Sequence, residues 1–443
     1  EKELTDEAPP KKEPVLMPVP GIVYDALPAS DAFIVEEVEV EKTPEVEEGI
    51  TGDVFGQKGG YIHPFASIGS NVWDNTNNIG VKESDISLLL GGGIWFAAPG
   101  VRNLETRSTS VYIPGGLEKS SFLPETNKHY QVFVMYQIND ERNKKNQVYD
   151  ITNQKSEVML MYNLRGGHKL KFSNMYLITH LPREEGLNAG LGNYQSNRFD
   201  VTLDYALSEK IRLRGDYARY SIGFEHTDSQ VRSHDDASYS AYLYLKTNPD
   251  TSVFFEYTLT DLDYEDLYNR DSSESNVLAG LRWDVTEKTR GIFKGGYTTK
   301  EFDASTKSSA KGFKLEGSMN YMFTSKTSVS LVLEKRLKEP KMITSNYVMY
   351  NSVNTRVILN PTSRIGASAS LGIARAEHEG TVMVNGLPEE RQDNIFSAGI
   401  SVSYKITKWL NSNFSYRHLK RGSSVSAYDF TSNEINFSFS SKF

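Results

Sequence analysis

The chain contains no cysteine, an absence that excludes structural disulfides, thiolate zinc sites and cysteine nucleophiles. It also lacks a long apolar run, because the longest apolar stretch without a charge covers residues 86–101 and is broken by three glycines and Pro99. A transmembrane helix needs about 20 consecutive apolar residues, so a membrane protein built from helices is excluded. Hydrophobic residues make up 38% of the 443 positions. By bulk composition alone, the chain is typical of a very water-soluble protein.

Proline is scarce outside the first 57 residues, which hold 7 of the 16 prolines. The same residues carry 15 acidic and 4 basic side chains, a net charge of −11, whereas the remaining 386 carry 42 acidic and 45 basic, a net charge of +3. We therefore predict an acidic, proline-rich arm over residues 1–57 and a separate body over residues 58–443. Neither an initiator methionine nor a signal-like segment opens the sequence, as expected of a trimmed cytosolic chain or a mature exported one.

The body alternates between apolar and polar residues, the pattern of strands with two different faces. In residues 198–205, the apolar Phe199, Val201, Leu203 and Tyr205 alternate with charged or polar residues. Similar runs begin near residues 277, 313 and 396, and no comparable run has helical spacing. The sequence therefore predicts an all-β fold for the body.

Short polar turns recur between these runs, marked by Ser208, Thr247, Thr286, Thr324, Thr362 and Thr407. Their spacings are 39, 39, 38, 38 and 45 residues, and most are followed within two positions by Lys or Arg. Longer polar segments lie between them, at residues 225–236, 263–273, 303–311, 338–345 and 377–392. Each repeat thus holds a strand, a long loop, a second strand and a short turn.

Tilted strands of about 9–11 residues cross a bilayer, and outer-membrane barrels join them by short periplasmic turns and long extracellular loops. We therefore predict a transmembrane antiparallel β-barrel in a bacterial outer membrane. A soluble propeller is the weaker alternative, since its period would hold four short strands. Further candidate turns near residues 103–106, 139–143 and 165–167 allow 18 or 20 strands. We prefer 18, because residues 143–165 are too few for two strands and a loop.

The chain ends in an amphipathic segment, with Ile435, Phe437, Phe439 and the terminal Phe443 on one face. This ending resembles the C-terminal signal that the outer-membrane assembly machinery recognises, so that machinery is a predicted partner. Near the start of the body, the run of three glycines at Gly91 would allow a sharp bend, or leave room for a segment such as the arm against the inner wall.

If the apolar face contacts lipid, the alternate positions face the lumen. The basic ones are Arg198, Arg212, Arg214, Arg282, Lys294, Lys314, Arg336, Arg356, Lys405 and Arg417. The acidic ones are Asp200, Asp204, Asp216, Glu256, Asp284, Glu316 and Glu334. The basic excess would guide an anionic polymer by electrostatic focusing, or the charges would simply pair across strands and keep the interior hydrated.

Three parts of the chain resemble one family, the outer-membrane β-barrel porins encoded beside exopolysaccharide export genes in Gram-negative bacteria. They are residues 60–100 with Trp73-Asp74-Asn75 and Ser84-Asp85, the repeats of residues 275–405, and residues 409–443 with Tyr428-Asp429-Phe430 and Asn433. The resemblance implies a conduit for secreted polysaccharide that works with a periplasmic polysaccharide-export protein. Residues 104–165 fit the family pattern poorly, and the arm lies outside it.

We expect a channel for export of a secreted polysaccharide through the outer membrane, in contact with outer-membrane lipid. A general or substrate-specific diffusion porin for small solutes and a structural barrel that anchors a surface assembly are the alternatives. The arm would either plug the lumen or bind a partner in the periplasm. The eight histidines are dispersed and form no catalytic motif, and residues 225–236 with His226 and His234 are predicted to be a solvated loop. We therefore expect no enzymatic activity, cofactor, metal or nucleic-acid partner.

Overall fold

A computed structural model describes residues 61–76, 78, 82–99, 129–180, 192–248, 250–265, 269–286, 288–339, 345–384 and 387–442. Within these residues, 18 antiparallel strands form one sheet. The sheet closes on itself because β1 pairs with both β2 and β18. The predicted antiparallel barrel of 18 strands is confirmed, whereas the arm and Phe443 lie outside the described residues.

The strands follow one another around the barrel in chain order. They are β1 (Ile62–Trp73), β2 (Asp85–Ala98), β3 (Tyr130–Asn143), β4 (Ile151–Asn163), β5 (Lys169–His180), β6 (Asn193–Ala206), β7 (Ile211–Phe224), β8 (His234–Asn248), β9 (Thr251–Tyr264), β10 (Ser272–Thr286), β11 (Thr289–Phe302), β12 (Ala310–Thr324), β13 (Thr327–Lys338), β14 (Ser345–Leu359), β15 (Ile365–Val384), β16 (Leu387–Lys405), β17 (Leu410–Ser423) and β18 (Phe430–Lys442). A four-residue helix, α1 (Thr227–Gln230), lies between β7 and β8. No helix in the described part of the chain is long and apolar enough to cross a membrane.

Alternation along each strand sorts side chains between the two faces of the wall. On β6, Phe199 and Leu203 are exposed on the outer face, whereas Asp200 and Thr202 are buried on the inner face. The same division holds on β9, where Phe255 and Tyr257 point outward and Glu256 is buried. The predicted apolar outer surface is therefore present around the barrel.

Hydroxyl side chains stabilise the short turns. Oγ1 of Thr362 accepts hydrogen bonds from the backbone N–H groups of Arg364 and Ile365, at 3.2 and 3.0 Å. Oγ of Ser208 does the same in the turn between β6 and β7, as does Oγ1 of Thr407 between β16 and β17. This local bonding explains why Ser or Thr marks the repeat. We call this end of the barrel the short-turn end and the opposite end the loop end.

The strand assignment near the start of the body differs from the prediction. Residues 139–143 are the last part of β3, at the loop end, and are not a turn. Residues 165–167 do form a short turn, in which Gly166 and Gly167 have φ angles of +85° and +83°. Residues 103–106 lie outside the described residues. The charged end of β3, with Asp140 and Arg142 paired at 2.7 Å, masked the strand pattern.

Residues 377–392, which were predicted to be a loop, are mostly strand. β15 continues to Val384 and β16 begins at Leu387, with Thr381 opposite Glu390 and Met383 opposite Pro388. This hairpin extends past its neighbours at the loop end, where polar residues on the outer face are no longer disfavoured. The apolar-polar alternation therefore disappears although the strand continues.

The seam between β1 and β18 is reinforced at the loop end by the segment after β1. The carboxylate of Asp74 accepts hydrogen bonds from the backbone N–H of Asn433 at 2.6 Å and from its side-chain Nδ2 at 2.7 Å. Nδ2 of Asn75 donates to the carbonyl of Thr431 at 3.0 Å. Nζ of Lys82 donates to Asp74 at 2.8 Å. The Asp74-Asn75 pair and Asn433 thus join the first and last strands.

Replacing Asp74 with alanine should destabilise the seam by about 1 kcal/mol. This value is low for charge-assisted hydrogen bonds, because the Asp74 side chain is 37% exposed and solvent screens its charge. Burial raises the pKa of Asp74, but hydrogen bonds from Lys82 and Asn433 outweigh it and the net pKa is lowered. A lowered pKa stabilises the fold above the ordinary carboxyl pKa, and this stabilisation is lost as the pH falls through the lowered value. The measurement is urea unfolding at neutral and acidic pH, with the exposed Asp263→Ala variant as control. An Asp74→Ala variant as stable as the control at neutral pH would contradict this role.

Candidate functional site: the inner face of the barrel

The structure places every predicted lumen-facing basic residue on the inner face. Each lies an even number of positions from buried residues of its own strand, and therefore on the same face as they do. The exposed apolar residues of that strand occupy the alternate positions. Arg212 is exposed, Lys294, Lys314 and Arg336 are buried, and the others are partly buried. Their role in guiding a polymer stays a prediction.

A group of basic side chains lies on the inner face within five residues of the short turns, and we call it the basic rim. It consists of Lys169 and Lys171 on β5, Arg212 on β7, Lys246 on β8, Arg282 on β10 and Arg290 on β11. Among the inward strand side chains that the structure describes at this level, Asp204 on β6 is the acidic member, and the sequence predicts a second one, Asp284, on β10. The short-turn end therefore carries a local excess of positive charge between β5 and β11.

Deeper in the barrel, basic and acidic side chains form a buried network. Nζ of Lys294 on β11 lies 2.8 Å from Oε2 of Glu256 on β9 and 3.0 Å from Oε2 of Glu316 on β12. Nζ of Lys314 lies 3.6 Å from Glu316 and 3.9 Å from Glu274. The side chain of Lys294 is 3% exposed, and those of Glu256 and Glu316 are each 1% exposed. These charges stabilise one another across the strands.

A glycine on the intervening strand accommodates an aromatic ring beside this network. Gly280 on β10 stands between Lys294 and Phe254 in the register. A Cβ atom at Gly280 would lie 2.6 Å from Cε1 of the Phe254 ring, so any larger residue would collide with it. The space that a side chain at Gly280 would occupy is thus filled by the buried ring of Phe254.

Other predicted basic residues are paired with inner-face carboxylates nearby. Arg198 lies 3.1 Å from Asp200, Arg214 lies 3.0 Å from Asp216, Arg417 lies 3.8 Å from Glu434, and Arg336 pairs with Glu334. The two interpretations left open by the sequence therefore apply to different levels of the wall. Pairing dominates in the middle, and a basic excess is found at the short-turn end.

A cross-wall contact narrows the loop end, and we call it the loop-end bridge. Glu339, directly after β13, accepts a hydrogen bond from Oη of Tyr264 at 2.8 Å and another from Nζ of Lys300. Tyr264 ends β9 and Lys300 lies near the end of β11. With strands about 4.8 Å apart, β9 and β13 are about 19 Å apart along the wall. Side chains from elements four strand positions apart therefore meet on the inner side of the wall at this end.

His234 belongs to the same region, which corrects its predicted place in a solvated loop. It begins β8 and packs on Tyr264, with ring centroids 4.8 Å apart. Its side chain is 11% exposed, and the neighbouring Asp236 is 2% exposed. Polar inward residues at the loop end are covered by aromatic rings from adjacent strands, which the sequence pattern did not reveal. No group of three potential metal ligands occurs in the part of the chain that the structure describes.

Apolar side chains line the loop end on both sides of the bridge. One buried group on β6 and β7 comprises Tyr194, Tyr220, Ile222 and Phe224. A second group, on β14 to β18, comprises Val348, Tyr350, Ala376, Ile395, Leu419, Val425 and Phe430. Val425 comes from the segment between β17 and β18, so that segment packs inward. Two of the buried apolar groups that the structure describes therefore lie at the loop end.

The glycine run on β2 serves the packing of its neighbours. Gly91 and Gly93 face inward, and a Cβ atom there would lie 2.5 Å from Oγ of Ser67 and 2.5 Å from Cζ of Phe65, respectively. The space predicted for a bend or for the arm is thus filled by side chains of β1. Phe65 in turn packs against an inner apolar group of Trp95, Ala97, Phe133, Met135 and Met159.

Ile435, Phe437 and Phe439 of the predicted assembly signal lie on the outer face of β18. Ile435 and Phe437 are exposed, and Phe437 packs edge-on against Phe439. Phe443 lies outside the described residues, and recognition by the assembly machinery stays a prediction.

Comparison with known proteins identifies one family. The model of the family described as "Putative beta-barrel porin 2" matches residues 174–443. No protein of curated function matches. Among solved structures, OccAB4 of Acinetobacter baumannii is similar with a TM-score of 0.47 and 11% identity, over 87% of this chain and 99% of that chain. The siderophore receptor PirA of Acinetobacter baumannii is similar with a TM-score of 0.40 and 8% identity, over 86% of this chain and 80% of that chain.

Proposed function

The chain belongs to the β-barrel porin family whose model matches residues 174–443, and from that premise we propose that this outer-membrane channel exports an anionic polysaccharide. Porins of this architecture place their short turns in the periplasm, so the basic rim faces the periplasm. The polymer would enter there and leave at the loop end.

The basic rim is the observation that carries the proposal. Lys169, Arg212, Lys246, Arg282 and Arg290 belong to five different strands around the short-turn end. Like charges grouped at a channel mouth with low-dielectric walls raise the local concentration of oppositely charged solutes. Rings of Arg and Lys are also the usual lining of anion-selective pores. A polyanion arriving from the periplasm would therefore be concentrated at this mouth.

The partner implied by the family resemblance is part of the same proposal. A periplasmic polysaccharide-export protein would dock at the short-turn end and deliver the polymer to the basic rim. The barrel itself would supply a hydrated path, and the driving force would come from the inner side of the envelope.

A diffusion porin for small anions is the second candidate, and the loop-end bridge favours it. Inward contacts at one end of a barrel restrict the size of a permeating solute. Under this alternative the rim variants described below change ion selectivity but leave surface polysaccharide at its normal amount. A structural anchor for a surface assembly predicts that neither property changes.

Replacing Arg212, Lys246 and Arg282 together with glutamine should reduce the anion-over-cation permeability ratio on the order of tenfold, because the focusing charges are removed. Surface polysaccharide should fall in parallel in cells that produce it. The measurements are reversal potentials in planar bilayers and quantification of surface polymer.

The matched control replaces Arg219, Lys311 and Lys420, exposed cations at outward positions, with glutamine. It removes the same formal charge from outside the lumen and should leave both readouts unchanged. An unchanged reversal potential in the rim variant would refute the electrostatic argument, and normal surface polymer would refute export.

A further inference from the structure

A row of basic and amide side chains lies on the outer face of β13 to β17, near the loop end. Lys335 on β13 stands opposite Asn351 on β14, which stands opposite Arg375 on β15. Arg375 in turn stands opposite Asn394 on β16, and Lys420 on β17 is two positions from the residue opposite Asn394. We call these five residues the outer basic row.

The side chains of the row point away from the lumen. Arg375 precedes Ala376 and Lys420 follows Leu419, and both of these neighbours belong to a buried apolar group of the inner face. Successive side chains of a strand point to opposite faces, so Arg375 and Lys420 face outward. The side chain of Arg375 is 53% exposed, Lys420 is exposed and Lys335 is partly exposed. The row is therefore accessible from outside the barrel.

The row borders the apolar outer surface of the barrel. Val353, Ile373 and Phe396 are exposed on the same face, each two positions from a member of the row towards the short-turn end. The short turns of outer-membrane barrels lie in the periplasm, so this border is at the outer leaflet. Side chains at the edge of an apolar band are at the level of the lipid headgroups. The outer basic row therefore faces headgroups of the outer leaflet.

The row carries an excess of positive charge. Within the described part of the chain, Lys335 and Lys420 form no ion pair, whereas Arg375 lies 2.8 Å from Glu377. The row and Glu377 together thus hold three cations and one carboxylate. The other glutamates described on the β15–β16 hairpin are at least four positions, about 13 Å, farther from the apolar surface than Arg375.

Other strands present a different charge at the same border. The outward Arg142 on β3 is paired with Asp140 at 2.7 Å, and the outward Arg219 on β7 is paired with Asp235 at 3.3 Å. The outward positions near the loop end of β9 and β11 hold Asp261, Asp263 and Glu301. The positive excess of the row is therefore not a general property of this border.

We propose that the outer basic row binds the phosphorylated headgroup of an outer-leaflet lipid, whose acyl chains lie on the apolar surface below. Lys and Arg form strong charge-assisted hydrogen bonds with phosphate oxygens, and Arg binds two of them at once. The amides of Asn351 and Asn394 supply further donors between the cations. Lys335 and Arg375 are two strand spacings, about 10 Å, apart, so the row can hold two phosphates of one headgroup. The inference concerns the outer wall and does not depend on what passes through the lumen.

The test measures lipid binding to the full chain in detergent by native mass spectrometry, with EDTA present to remove bridging divalent cations. Lipid A, which carries two phosphates, is compared with its dephosphorylated form. We expect lipid A to bind at least about tenfold more tightly, because each cation near an anionic lipid strengthens binding several-fold. Equal binding of the two lipids would overturn the proposal.

Replacing Lys335, Arg375 and Lys420 together with glutamine should weaken lipid A binding at least about tenfold and leave binding of the dephosphorylated lipid unchanged. The charge-conserving variant Lys335→Arg, Arg375→Lys, Lys420→Arg should retain most of the affinity. If the glutamine variant binds lipid A as tightly as the unaltered protein, the row is not the binding site.

The matched control removes two lysines and one arginine that are exposed in short turns, with the changes Lys210→Gln, Arg364→Gln and Lys408→Gln. It should bind lipid A like the unaltered protein. A loss of affinity equal to that of the row variant would show non-specific attraction and refute the proposal. Displacement of lipid A by inorganic phosphate, but not by sodium chloride of equal ionic strength, would assign the row to free phosphate and refute the lipid.

Discussion

Replacing Lys294 with methionine should lower the free energy of unfolding by about 3–5 kcal/mol, because removing one partner of a buried ion pair leaves uncompensated charge. Nζ of Lys294 holds Glu256 and Glu316 at 2.8 and 3.0 Å, and both carboxylates are almost fully buried. Lys314, 3.6 Å from Glu316, compensates one carboxylate only in part. The measurement is urea unfolding of the protein in lipid or detergent, followed by the change in electrophoretic mobility on unfolding.

Two comparison variants make this result specific. Lys246→Met removes an inward but exposed ammonium and should cost less than about 1 kcal/mol. A triple variant, Glu256→Leu with Lys294→Met and Glu316→Leu, removes all three charges and should recover most of the stability. If Lys294→Met unfolds at the same urea concentration as Lys246→Met, the network does not stabilise the barrel. If the triple variant is no better than the single one, lost packing rather than stranded charge is responsible.

Replacing Glu339 with glutamine should open the loop end and raise single-channel conductance several-fold. The side chain of Lys300 is fully buried against Glu339, and it would lose its counter-charge. A buried ammonium without a carboxylate is unfavourable enough to move towards water, which separates β11 from the segment after β13. Tyr264→Phe removes only the neutral hydrogen bond and should give a smaller increase. The exposed Glu301, next to Lys300 on β11, provides the matched control Glu301→Gln.

The same contact predicts a dependence on pH. Burial raises the pKa of Glu339, but Lys300 and Tyr264 outweigh burial and the net pKa is lowered. The carboxylate is therefore ionised at neutral pH, and the bridge is lost as the pH falls through the lowered pKa. Conductance of the unaltered protein should be higher at a pH below the usual carboxyl pKa range than at neutral pH. Glu339→Gln should conduct equally at these two pH values. A conductance of Glu339→Gln equal to that of Glu301→Gln would show that the bridge does not limit the channel.

The sequence predicted the features that depend on local pattern. Alternation along strands such as β6 is a property of consecutive residues, and the turn at Thr362 is stabilised within four residues, so both were predictable. The strand count also followed from the repeat. The assignment failed at residues 139–143 and 377–392, where strands extend past the apolar band and carry charges on both faces.

Contacts on the inner face depend on the shape of the closed wall, and the sequence did not predict them. Lys294 on β11 meets Glu256 on β9 across the intervening β10, so the contact joins strands that are not neighbours in the sheet. Glu339 likewise reaches Tyr264 across four strand positions, a contact between residues 75 positions apart in the sequence. His234 was assigned to a loop because polar residues are unusual inside proteins, whereas the inside of a barrel tolerates them. The excess of positive charge at the short-turn end required the register of several strands together.

The seam between β1 and β18 has a consequence for the order of folding. Asp74 and Asn433 are 359 residues apart, while every other pairing joins strands that are consecutive in the chain. Hairpins form early because closing a short loop loses little entropy, and the longest loop closes last. Until then the growing sheet presents two unpaired edges, which are prone to join other chains. Closure is thus a single late event that requires the complete chain, and a truncated chain would persist as an open ribbon for proteases to remove.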